Sequence, residues 1–131
     1  MQDFQPAALL DWELAVVGDP ILDIAYFVFH VFLVQLMNPD LDASQRLTGF
    51  RSDEETVQRW CTALQYPSTH FRTYWLFNAY KMLCIWQCKA ALMVRAGHWT
   101  VEEALLARRG PALRPHIQAV MEGGPHAAYR R

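Results

Sequence analysis

Four acids fall within thirteen positions near the start of the chain: Asp11, Glu13, Asp19 and Asp23. Their neighbours are mostly apolar, among them Leu9, Leu10, Trp12, Leu14, Val16, Val17, Ile21, Leu22 and Ile24. A carboxylate in such a setting needs a hydrogen-bond partner, a proton or a metal, because an unpaired buried charge is costly. Asp11 closes the apolar run Ala7 to Trp12. A carboxylate there projects from a rigid element into a loop-lined cleft. That suits a hard cation such as Mg²⁺, which takes oxygen ligands and one or two protein carboxylates. The alternative is an exposed acid at a strand end. Glu13, two residues on, either shares the metal through water or faces solvent. Asp19 precedes Pro20 and reads as a helix cap. Asp23 lies one turn into an apolar helix, where the dipole favours it by only about 0.3–1 kcal/mol. It should therefore accept hydrogen bonds from another segment, in a supporting rather than a catalytic role.

The elements that must hold these acids are mostly helical. Ala7 to Trp12 predicts a short strand, and Glu13 to Gly18 a loop. A helix starts at Asp19-Pro20 and runs to about Met37, where Asn38-Pro39 stops it. Asp40 to Arg51 is a polar loop. Ser52-Asp53-Glu54-Glu55 is a capping box. Behind it Val57, Trp60, Cys61 and Leu64 recur at helical spacing, which predicts one apolar stripe facing the core. Tyr66-Pro67-Ser68 breaks that helix. Thr69 to Ala96 is a long helix, apolar nearly all round, so it is expected at the centre with others wrapped about it. Gly97 ends it. Thr100-Val101-Glu102-Glu103 is a second capping box. Gly110-Pro111 interrupts, and Ala112 to Glu122 forms a last helix. The expected fold is mainly α, with one strand stub that needs partner strands to satisfy its backbone. Residues 1–122 form the helical unit and 123–131 a flexible tail.

Composition narrows the function classes. The chain has 131 residues, 53% apolar and 13% aromatic, which is ample for a core. Its net charge is -1, from 12 basic and 13 acidic residues. Nothing forms the clustered basic face that nucleic-acid binding needs. The most apolar run, Ile24 to Met37, is shorter than the roughly 20 residues that span a bilayer. Met1-Gln2-Asp3-Phe4 does not open a signal peptide. Cys61, Cys84 and Cys88 read as reduced core thiols in a cytoplasmic setting. No His/Cys cluster completes a zinc site around them.

The acidic stretch resembles the metal-binding segment of the aminoglycoside phosphotransferases, choline kinases and related protein-kinase-like enzymes. In that family an apolar strand ends in Asp-Trp-Glu or Asp-Phe-Glu. A Gly-Asp-Pro loop follows, then a helix opening Asp-Ile-Ala or Asp-Leu-Ala. Asp11-Trp12-Glu13, Gly18-Asp19-Pro20 and Asp23-Ile24-Ala25 match in order and spacing. The resemblance implies that the chain is the helical C-terminal lobe of such an enzyme. It also implies an ATP- and Mg²⁺-dependent transfer of phosphate to a small-molecule hydroxyl. Asp11 then corresponds to the acid that ligates Mg²⁺ on the nucleotide phosphates, with Glu13 as a second candidate. Asp23 corresponds to the acid that braces the catalytic loop.

The family's catalytic loop, His-Gly-Asp with Asn four residues later, is not in this sequence, where no His precedes a Gly. No Gly-rich phosphate loop is present, and the only lysines, Lys81 and Lys89, lie in the long helix. Met1 falls about where the family's sequence runs from catalytic loop into metal strand. The expected partners are therefore a small-molecule acceptor and the N-terminal lobe of the same protein. Alone, the chain is expected to transfer no phosphoryl group. The competing reading is a non-catalytic helical module that binds partners, or itself, through exposed apolar surface. Trp75, Tyr80, Trp86 and Trp99 either line an acceptor site or belong to the core.

Overall fold

A computed structural model describes residues 8, 15, 17–38, 52–107 and 110–123. The described chain is mainly α and contains no strand. The expected strand 7–12 and the loop 40–51 lie outside the described residues, apart from Ala8. Five helices follow in order: α1 (Ile21–Met37), α2 (Asp53–Leu64), α3 (Phe71–Arg95), α4 (Val101–Leu106) and α5 (Gly110–Met121).

Local chemistry sets the ends of these helices. Both capping boxes form. Ser52 accepts from the Glu55 N–H at 3.2 Å, and Thr100 accepts from the Glu103 N–H at 3.1 Å. The two glutamates reach back to the backbone N–H of Ser52 and Thr100, at 3.4 and 2.7 Å. Each box satisfies donors that the first helical turn leaves open. At the C-terminus of α3 the His98 N–H donates to the Met93 carbonyl and the Gly97 N–H to Val94. Gly97 sits at φ 73°, in the left-handed region that this closure needs. The same closure ends α2 on Gln65 at φ 51°, where a side chain bears a conformational cost of about 1–2 kcal/mol. At the end of α5 the Arg72 guanidinium donates to the Met121 carbonyl, binding that terminus to the start of α3. Gly110-Pro111 opens α5 rather than interrupting a helix, since proline fits a first turn whose N–H groups have no partner. Pro115, further in, removes one ladder bond.

The core lies between α1 and α3, with α2 against α1, and α4 and α5 against α3. On α1, Ile21, Ile24, Ala25, Val28, Phe29, Phe32 and Leu33 form one buried stripe at helical spacing. Trp75 of α3 is fully buried beside it. Its ring centroid is 5.1 Å from Phe29, edge to face at 86°, and 5.4 Å from Phe32. Phe32 meets His116 of α5 at 5.0 Å. One connected set of rings thus joins α1, α3 and α5.

Three expectations of coverage are corrected. On α2, Val57 and Cys61 are buried, but Trp60 and Leu64 are exposed, so only half of the apolar stripe faces the core. On α3 only one side is covered. Phe77, Tyr80, Ile85 and Leu92 are exposed, Tyr80 by 65%. Cys84 and Cys88 are exposed too, and only Cys61 is a core thiol. With every face apolar, periodicity cannot indicate which one finds neighbours.

Removing the central ring should be severe. Trp75→Ala should lower the unfolding free energy by about 3–5 kcal/mol, measured by urea denaturation followed by far-ultraviolet circular dichroism. A cost below 1 kcal/mol would show that the ring cluster does not organise the core.

Candidate functional site

The acidic segment enters the fold at the N-terminus of α1. Asp19 performs the capping role its sequence position predicts. Its Oδ1 accepts from the Ile21 N–H at 3.0 Å, and its carbonyl accepts from the Leu22 N–H at 3.0 Å. Pro20 follows without needing a donor of its own. Tyr74 of α3 lies close enough to feel this carboxylate: interaction with Asp19, with some burial and the neighbouring negative charge, pushes the Tyr74 phenol above its ordinary pKa. Asp19 thus stands where the start of α1 meets the start of α3. Sequence reading missed Tyr74, since nothing near it marks a partner so distant along the chain.

Asp23 is exposed on α1, not buried as its apolar neighbours suggest. The helical period explains this, because Ile24 and Ala25 turn into the core while Asp23 turns out. Its carboxylate makes no hydrogen bond or ion pair among the described residues. One turn on, Tyr26 is half-exposed and carries Lys81 of α3 over its ring, with Nζ 5.1 Å from the centroid. His30 lies against the other end of this patch. Its ring is 4.1 Å from that of Tyr26, and its Nδ1–H donates to the Tyr26 carbonyl at 3.1 Å. The outer face of α1 thus carries an acid, a phenol, an imidazole and a borrowed ammonium.

Asp11 and Glu13, the candidate Mg²⁺ ligands, lie outside the described residues. Among the described residues no three His, Cys, Asp or Glu side chains converge on a metal position. Asp19 and Asp23 do not converge either, one being used as a cap and the other pointing outward. Of the aromatics considered for an acceptor site, Trp75 is core, Trp86 and Trp99 are partly covered, and Tyr80 is exposed. A shallow depression along α2 is lined by Glu54, Glu55, Gln58 and Arg59. All four come from a single helix, which cannot enclose a ligand. No helix among the described residues is long and apolar enough to cross a membrane.

Comparisons with protein-family models, curated proteins and solved structures find no significant match to this chain. The family resemblance accordingly rests on the three short motifs between Asp11 and Ala25.

Two measurements test the site's electrostatics and exposure. The raised Tyr74 pKa means that the folded state favours the neutral phenol. This contribution is complete below the ordinary tyrosine value of about 10 and is lost as pH rises through the raised one. Asp19→Asn should return the Tyr74 phenolate transition, followed by ultraviolet absorbance, towards the ordinary value; an unchanged transition would remove Asp19 as its cause. Burial also pushes the Cys61 thiol up. Under native conditions a thiol reagent should modify Cys84 and Cys88 quickly and Cys61 only on unfolding, as read by mass spectrometry.

Proposed function

We propose that this chain is the helical acceptor-side portion of an ATP- and Mg²⁺-dependent phosphotransferase acting on a small-molecule hydroxyl in the cytoplasm. The single observation that carries the reading is the order Asp11-Trp12-Glu13, Gly18-Asp19-Pro20, Asp23-Ile24-Ala25. The local chemistry of α1 supports it. Asp19 acts as the cap that a Gly-Asp-Pro loop calls for, and Asp23 offers an unused carboxylate one turn later. In this reading Asp11 holds Mg²⁺ on the nucleotide phosphates, with Glu13 beside it. The metal neutralises phosphate charge and aligns the transferring group. Asp23 accepts hydrogen bonds from the backbone of a catalytic loop supplied from outside this sequence. The loop's aspartate would orient the acceptor hydroxyl, so the chain alone turns nothing over.

A second reading has its own observation. The outward face of α3 exposes Phe77, Tyr80, Ile85 and Leu92, which suits a helical module that binds a partner without catalysis.

The DNA upstream of the Met1 codon separates the two. The phosphotransferase reading expects an open frame encoding His-Gly-Asp with Asn four residues after the Asp. The longer product should then transfer phosphate from Mg·ATP to a hydroxyl acceptor. Asp11→Ala in that product should cut kcat roughly 100-fold or more, since a bound metal contributes several kcal/mol to such a step. A stop codon with no such motif nearby, or an Asp11→Ala enzyme as fast as its parent, would defeat the reading.

A further inference from the structure

We infer that Cys84 and Cys88 form a two-thiolate site for a soft, two-coordinate d¹⁰ cation, copper(I) being the biological instance. The inference is independent of the phosphotransferase reading. Both thiols are free and exposed on a 25-residue helix. They stand four residues apart, so they share one face, with Cβ atoms about 5–6 Å from each other. A disulfide needs Cβ atoms about 3.5–4.5 Å apart, so an intact α3 holds this pair too wide to close on itself. A single bridging metal fits better. With metal–thiolate bonds of about 2.3 Å, a linear S–metal–S unit spans roughly 4.6 Å, within reach of two rotatable side chains on this spacing.

The surroundings select the class of ion. No third His, Cys, Asp or Glu side chain joins the pair among the described residues. Tetrahedral zinc, which takes four ligands in structural sites, is poorly served. Thiolates favour copper(I), and two of them suffice for it. Tyr80, one turn before Cys84, is exposed on the same side of the helix. Charge favours the product as well. Binding releases one proton from each thiol and leaves a Cu(I)(thiolate)₂ unit of net charge -1, with no change of oxidation state. Helix α3 carries Arg72, Lys81, Lys89 and Arg95 and no acid at all.

The test is an anaerobic titration of the folded chain with copper(I) held by the chromophoric chelator bicinchoninate. One copper should leave the chelator per chain, with two protons released per ion. Cys84→Ser and Cys88→Ser should each weaken withdrawal roughly 100-fold or more, because the second thiolate acts at the high effective concentration of an intramolecular ligand. Cys61→Ser should leave it unchanged. The double variant Cys88→Ser/Lys89→Cys keeps the number of thiols but turns one off the shared face, and should also lose the ion. Circular dichroism confirms that each variant is folded. The site is overturned by one copper per two chains, by binding that survives either single serine variant or the relocated thiol, or by dependence on Cys61.

Discussion

An indole as large as that of Trp75 can be fully buried only if neighbouring elements are shaped around it, and this requirement organises the helices. Phe29 and Phe32 sit one turn apart on α1, the first meeting Trp75 edge to face and the second tilted against it at 58°. That geometry pairs ring edges with ring faces, which adds about 0.5–1.5 kcal/mol per pair to the area term. His116 extends the set to α5 through Phe32. Ile21, Ala25, Val28, Phe71, Ala79, Leu113 and Val120 are buried in the same cluster. The peripheral contacts gain from this arrangement. Tyr74 can reach Asp19 and Lys81 can reach Tyr26 because α1 and α3 are already held together.

Most of the helix boundaries were legible because they depend on local chemistry. Asp19-Pro20 and Asn38 bound α1, and two Ser/Thr-x-x-Glu boxes open α2 and α4, where each reciprocal bond forms. Coverage was not legible, because it depends on which distant element arrives. Trp60 and Leu64 belong to the same sequence pattern as Val57 and Cys61, yet they lie beyond the reach of the core. In α3 the pattern has little direction at all, so Phe77 and Trp75 read alike although one is half-exposed and the other buried. Of the candidate site, the cap was legible in Asp19, whereas the outward turn of Asp23 follows from which side of α1 packs. Asp11 and Glu13 fall outside the described residues.

Hydrogen-bonding economy separates the roles of the two described acids. Asp19 accepts from the Ile21 N–H and has the Tyr74 phenol beside it. A carboxylate so engaged is poorly disposed to exchange partners during a reaction, and its value lies in fixing where α1 begins. Asp23 has no such engagement among the described residues, yet it occupies a backbone position fixed by that cap. A rigid attachment and an unused acceptor are what a bracing residue requires, since its bond must hold another segment without first breaking one of its own. The contrast between a committed cap and an unengaged acid is a property of the helix itself. It follows from a helix start held by Asp19 and a helical period that turns the next acid outward.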